Sequence, residues 1–200
     1  MHNTIIEAFD DGYFPSWYKG GKGCTYIAGV ETVEFLVVRR IAWSTVNVDS
    51  NTSMSKIIEL SKFFEGEVVI LDGVTYAGFD VVDPDQVSDR TGKGVIVIQL
   101  YPLNLDKIKV ALQKHFVDWR ERYSVIEKTY LKMIYYDTPW RTIKIYVRNI
   151  DLEKAFYILK NTCLFSPVPE PLRIADKLAS ALSQVFSDKP KVLSNSTMKS

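Results

Sequence analysis

Two short apolar runs, Val68-Val69-Ile70-Leu71 and Val95 to Leu100, constrain this chain more than any other feature. A strand with one face in water alternates polar and apolar residues, so an unbroken run belongs to a strand covered on both faces. Such strands lie inside a sheet with helices on either side. Parallel neighbours of this kind need a long connection, and the polar stretch Asp83 to Lys93 between the runs reads as helical in part.

The other elements follow from the same periodicities. Thr4 to Phe9 is a short apolar-rich strand that ends at Asp10-Asp11-Gly12, and Tyr13 to Gly23 is a loop of Gly, Lys and aromatics. Cys24 to Val30 and Val33 to Val48 are rich in β-branched and aromatic residues, and only Glu31 and Thr32 separate them. They read as a tight antiparallel pair turning at those two residues. Ser53 opens a helix to about Phe64, with Ile57, Ile58, Leu60 and Phe64 on one face. Asp106 to Phe116, Trp119 to Lys128, Ile150 to Asn161 and Pro171 to Phe186 are further helices, and Leu131 to Tyr136 with Thr142 to Val147 form a late hairpin. Three antiparallel strands feeding parallel βα units, flanked by helices, is an α/β layout with the element order of the ribonuclease H-like fold. Residues 1–186 are expected to form one domain, and 187–200, rich in Ser, Lys and Asn, a disordered tail.

Composition narrows the partners. Lys plus Arg number 25 against 24 Asp plus Glu, so any nucleic-acid surface must be a local patch rather than a bulk charge. The most apolar stretch, Tyr26 to Val38, is broken by Glu31 and Glu34, which excludes a membrane span. Cys24 and Cys163 stand far apart, in no metal-ligand spacing, and read as two small buried residues in a reducing, cytoplasmic compartment.

Carboxylates at strand ends are the candidate chemistry. Asp10 ends the first strand, Asp49 the third and Asp72 the fourth. If the first and fourth strands are neighbours, Asp10 and Asp72 reach one divalent cation, and Mg²⁺ suits a few carboxylate oxygens with water and phosphate in its other positions. The same residues have plainer uses. Asp-Gly is ordinary turn chemistry, and Asp49-Ser50-Asn51 can cap the helix from Ser53.

The C-terminal run Pro169-Glu170-Pro171-Leu172-Arg173-Ile174-Ala175-Asp176 resembles a segment of endonuclease V. Val69-Ile70-Leu71-Asp72-Gly73 is similar to that enzyme's apolar-Asp-Gly strand end, and the run into Asp10 to its first metal-binding strand. Val46-Asn47-Val48-Asp49, Gly73-Val74-Thr75-Tyr76-Ala77-Gly78-Phe79, and Lys109 to Trp119 resemble more closely still an archaeal family of endonuclease V homologues. The likeness covers Ile5 to about Leu182. It implies a ribonuclease H-like fold and an endonuclease using Mg²⁺ or Mn²⁺, with Asp10 and Asp72 as metal carboxylates and Asp176 on the last motif. Asp49 falls near a glutamate of the family and is one methylene shorter. Two departures stand out: Val74 to Phe79 replaces a His-Pro-Arg segment, and Arg39 to Val48 holds no Pro-Tyr-Ile-Pro wedge. The metal cradle is thus expected to carry over and recognition of deaminated bases is not.

Around that cradle, Lys19, Lys22, Thr75, Phe79 and Arg173 are candidate contacts to a nucleic-acid substrate. Lys19-Gly20-Gly21-Lys22-Gly23 either offers cations to phosphate or is a solvated turn. Phe79 either stacks on a base or plugs the core. Arg173 either holds phosphate or orients Asp176 or Glu170. His115 reads as a structural, at least half-buried histidine, and Arg120, Glu121, Arg122 and Glu127 as a solvated helix face. Two functions fit: a metal-dependent nuclease, or a binding scaffold that keeps the fold without catalysis.

Overall fold

The computed structural model describes residues 4–186, so the expected tail over 187–200 lies outside the described residues. In chain order come β1 (Ile5–Asp11), β2 (Cys24–Val33), β3 (Val37–Asn47), α1 (Ser53–Ser61), β4 (Val68–Asp72), β5 (Thr75–Tyr76), β6 (Asp80–Val81) and α2 (Pro84–Thr91). Then follow β7 (Gly94–Gln99), α3 (Leu105–His115), α4 (Trp119–Leu131), β8 (Ile134–Asp137), β9 (Thr142–Arg148), α5 (Leu152–Thr162) and α6 (Glu170–Phe186).

Seven of the strands make one mixed sheet in the order β3-β2-β1-β4-β7-β9-β8. β1, β4 and β7 run parallel at its centre, with antiparallel β2 and β3 on one flank and β9 and β8 on the other. The two apolar runs became the adjacent strands β4 and β7, and Val68 to Leu71 and Val95 to Ile98 are fully buried. Strand alternation divides these residues between two cores. Phe9, Val69, Leu71, Val95 and Val97 pack against α1, α2, α3 and α4. Ile6, Ala8, Val68, Ile70, Ile96 and Ile98 pack against α5 and α6.

Three local expectations need correction. The β2–β3 turn lies at Glu34 to Leu36, where Glu34 and Phe35 take positive φ (51° and 71°), and not at Glu31-Thr32. Glu31 is a fully buried strand residue, with Arg39 and Arg40 each 3.7 Å from its carboxylate. β1 extends to Asp11, so Asp10 stands within the strand. Cys24 is exposed and only Cys163 is buried. Among the described residues no helix is long and apolar enough to cross a membrane.

Candidate active site

The register of β1 against β4 brings the first two carboxylates together. Phe9 pairs with Leu71, which sets Asp10 and Asp72 level as the next residues of two parallel strands. Strands lie about 4.8 Å apart. Both aspartates continue the alternation of Ile6 and Ala8 and of Val68 and Ile70, and so point to the α6 face. Asp11 has the opposite parity, and its Oδ2 accepts the Ala77 N–H at 2.9 Å. Gly12 lets α6 close over this end, because a Cβ there would stand 2.4 Å from the Ala179 carbonyl oxygen. α6 thereby carries Asp176 near enough for its charge to act on Asp10, Asp11 and Asp72.

Among the described residues, Asp10, Asp11 and Asp72 have no counterion. Burial, then the charges of Asp72 and Asp11, push the Asp10 carboxyl well above the usual carboxylate range. Burial lifts Asp11 to about 7, and burial with the Asp176 charge lifts Asp72 to about 6. None of the charges acting on these three is positive, whereas Asp176 pairs with the exposed Lys177 at 2.8 Å. Like charges held together at a buried site cost free energy that a cation would recover.

Tyr76 fixes the gap between the two strand ends. Its fully buried hydroxyl donates to the Phe9 carbonyl at 3.1 Å and accepts the Asp72 N–H at 3.0 Å, bridging β1 and β4 beside the carboxylates. The segment after Asp72 folds back as the β5–β6 hairpin. Asp49, expected among the metal carboxylates, is occupied otherwise. Its Oδ2 accepts the Gly20 N–H at 2.8 Å and its Oδ1 the Phe79 N–H at 2.9 Å. Gly78 (φ 92°) is required here, since a Cβ would come within 2.3 Å of Asp49 Oδ1. Asp49 therefore pins two loops together and does not line the carboxylate pocket. Nor does it cap α1: the buried Asp80 does so from across the hairpin, accepting the Thr52 and Ser53 N–H groups at 3.0 and 2.9 Å.

The pocket over the cluster has a volume of ≈ 330 Å³ and takes in Asp10, Asp11, Asp72, Thr75 and Phe79. Lys19 and Lys22, like Asp49, line a separate cavity of ≈ 620 Å³, and Phe79 forms part of both walls. Arg173 grips the buried Glu170 with both Nε and an Nη, at 2.6 to 3.1 Å, which is the orienting role and not contact with Asp176. His115 is exposed at the second cavity, contrary to the buried or half-buried structural histidine expected. Arg122, expected in solvent, is buried and donates to the Ser50 carbonyl at 2.8 Å and to that of Phe79. Sequence reasoning missed Asp11, Gln99 and Tyr101 in the pocket wall and Tyr76 beneath it. The doubled aspartate of Asp10-Asp11 was the one available signal, since alternation sends successive carboxylates to opposite faces.

As the side chains stand, no three His, Cys, Asp or Glu among the described residues converge around one ion. The donors still fit a hard divalent cation. They are carboxylate oxygens carrying unneutralised charge beside a pocket, and Mg²⁺ needs only one or two protein carboxylates when phosphate and water fill the rest.

A family described as endonuclease dU matches residues 3–183 of this sequence. The chain belongs to the endonuclease dU family. A UPF0215 protein of the archaeon Thermococcus gammatolerans is 34% identical over 182 residues, covering 88% of this chain and 91% of that protein. Among solved structures, a protein of unknown function from Archaeoglobus fulgidus superposes with a TM-score of 0.75 at 18% identity, over 90% of this chain and 98% of that one. Endonuclease V of Ciona intestinalis, in complex with DNA containing an inosine followed by a ribo-adenosine, gives a TM-score of 0.56 at 15% identity, over 92% and 88%. This member of the endonuclease dU family thus has the ribonuclease H-like fold of endonuclease V, as its element order and C-terminal motif implied.

Proposed function

We propose that this protein is an endonuclease that uses Mg²⁺ or Mn²⁺ to cleave a phosphodiester of nucleic acid in the pocket at the ends of β1 and β4. The observation that carries this reading is the pair Asp10 and Asp72, buried or partly buried on one face of the sheet with no positive charge acting on either and with the charge of Asp176 adding to theirs. Asp10 and Asp72 would hold the ion, and Asp176 would complete the negative field directly or through water. A cation there would supply charge neutralisation and Lewis-acid activation for attack on phosphorus. Tyr76 holds the ends of β1 and β4, which carry Asp10 and Asp72, at fixed separation, and Asp11 Oδ2 is engaged by the Ala77 N–H. Thr75 and Phe79 in the pocket wall would contact the sugar and base beside the cleaved bond.

For substrate, the family's description carries the abbreviation for deoxyuridine, and the Ciona endonuclease V is bound to inosine-containing DNA. Uracil and hypoxanthine are both products of base deamination. Deoxyuridine-containing DNA is therefore the substrate we favour, which reverses the expectation drawn from the missing wedge. The test is cleavage of deoxyuridine-containing, deoxyinosine-containing and undamaged DNA oligonucleotides with Mn²⁺ by wild type, Asp10→Asn and Asp72→Asn. Loss of cleavage by more than about a hundredfold in both variants is expected. Wild-type rates in both would sink the assignment.

The second reading, a non-catalytic nucleic-acid- or partner-binding scaffold, is favoured by one observation. Among the described residues no three His, Cys, Asp or Glu converge as a metal site, and Asp49 spends both oxygens on backbone N–H groups. It predicts oligonucleotide binding without metal-dependent cleavage.

A further inference from the structure

The ≈ 620 Å³ cavity beyond Phe79 belongs to no part of the carboxylate site, yet it shares a wall with it. Its lining is of two kinds. Phe14, Phe79 and Phe116 provide apolar faces, and Phe79 meets Phe116 edge-on at 5.9 Å between ring centres. Lys19 and Lys22, both exposed, stand on the β1–β2 loop at its rim, with His115 on α3. Neither lysine has an ion-pair partner among the described residues. The one lining carboxylate, Asp49, already accepts two backbone N–H groups, so the wall carries two lysine charges against one.

Loose surface loops do not keep such a cavity open, but this one is braced. Asp49 ties Gly20 to Phe79, its own N–H donates to the Ala77 carbonyl at 2.7 Å, and the buried Arg122 holds the Phe79 carbonyl from α4 while lying 4.5 Å above the Phe116 ring. The volume is in the range that small-molecule sites occupy. Aromatic walls with cations at the rim suit a ligand with a flat apolar body and an anionic edge, which is the chemistry of a nucleotide. A purely apolar ligand would leave both lysines idle, and a free phosphate would leave the three phenylalanines idle.

We propose that this second cavity is a nucleotide subsite: it lodges the base of a nucleotide neighbouring the cleaved bond against Phe14, Phe79 and Phe116, with its phosphate on Lys19 and Lys22. The assignment rests on reading the carboxylate pocket as the cleavage site, and Phe79 is the shared partition that sets one nucleotide apart from the next. The subsite binds single-stranded or unstacked nucleic acid, because a base inside a duplex cannot present both faces to side chains.

The test is fluorescence anisotropy of a labelled single-stranded DNA 12-mer with the full chain in metal-free buffer, where binding is read without cleavage. In Lys19→Ala/Lys22→Ala, affinity at low salt should fall about tenfold, and the slope of log affinity against log salt should flatten by about 0.7, the value for one phosphate contact on a single strand. Phe14→Ala should weaken binding about five- to tenfold with the salt slope unchanged. A 12-mer lacking the one base that enters the cavity should bind wild type as weakly as Phe14→Ala binds the intact strand. That variant should then lose nothing more on the abasic strand. Lys62→Ala, on a surface lysine outside the cavity, is the control. An unchanged slope in the double-lysine variant, wild-type affinity in Phe14→Ala, or no measurable binding by wild type would each overturn the subsite. Asp72→Asn separates the two readings. Retained cleavage overturns the carboxylate assignment, while lost cleavage with binding intact supports both sites.

Discussion

Glu7 and Asp10 lie three residues apart on the same strand, both buried, and the protein treats them in opposite ways. Glu7 is fully buried and its carboxylate is met by the Lys93 ammonium and the Ser61 hydroxyl, the latter at 2.6 Å. Lys93 is itself held by the Ser61 and Phe64 carbonyls at 3.0 and 3.3 Å. At the other end of β1, Asp10 accepts, among the described residues, only the neighbouring Asp11 N–H at 2.8 Å and faces two further aspartates, Asp72 and Asp176. The first arrangement closes a charge inside the fold. The second leaves charge uncompensated beside a pocket, which is a cost a protein bears where something from outside is to bind.

The sharpest way to break the comparison is to remove the cation that Glu7 has. Lys93→Met should destabilise the fold by about 3–5 kcal/mol in urea unfolding, because it strands a buried carboxylate. Asp10→Asn should not lower metal-free stability at all, since it removes repulsion. If both substitutions cost the same, the two ends are not electrostatically different.

The pH dependence comes next. Asp72 in the fold titrates near 6 against a usual 3.8, so between these values the folded state keeps a proton that the unfolded chain has released. Its contribution is fully present below pH 3.8 and is lost as pH rises through 6, by about 1.4 kcal/mol per pH unit crossed. Asp11 extends the same loss toward 7. Metal-free wild type should therefore lose stability from pH 4 to 7 more steeply than Asp72→Asn, as measured by urea midpoints across that range. Equal slopes would remove Asp72 from the cluster.

Smaller effects separate positioning from charge. Tyr76→Phe deletes one donor and leaves the Asp72 N–H without its acceptor, which should cost about 1–3 kcal/mol. It should also weaken Mn²⁺ binding several-fold while its pH profile stays that of wild type. Asp49→Ala should cost about 1–2 kcal/mol through the Gly20 and Phe79 N–H groups and leave Mn²⁺ affinity within about twofold. A large loss of Mn²⁺ affinity in Asp49→Ala would restore that residue to the metal site.

Much of this was legible in the sequence where the signal is local. Val68 to Leu71 and Val95 to Ile98 announce buried parallel strands by pattern alone, and strand alternation then carries Asp10 and Asp72 to one face. What was not legible depends on partners distant in the chain. Arg122 looks like one charge of a solvated helix until Ser50, 72 residues away, takes its guanidinium. Asp49 looks like a ligand until N–H groups 29 and 30 residues distant fill both its oxygens. Glu31 reads as a turn because nothing nearby in sequence reveals that Arg39 and Arg40 will cover it after the strand folds back. Tyr76 gives no sign of being a strut, since both its hydrogen-bond partners are backbone groups.

The most direct test of the cation-deficient cluster is thermal unfolding of wild type and Asp72→Asn at pH 8, each with and without Mn²⁺. An ion that binds only the folded state raises its stability by mass action. The carboxylate assignment predicts a rise in wild-type Tm with Mn²⁺ and little or none in Asp72→Asn. An equal shift in both proteins, or none in either, would contradict it.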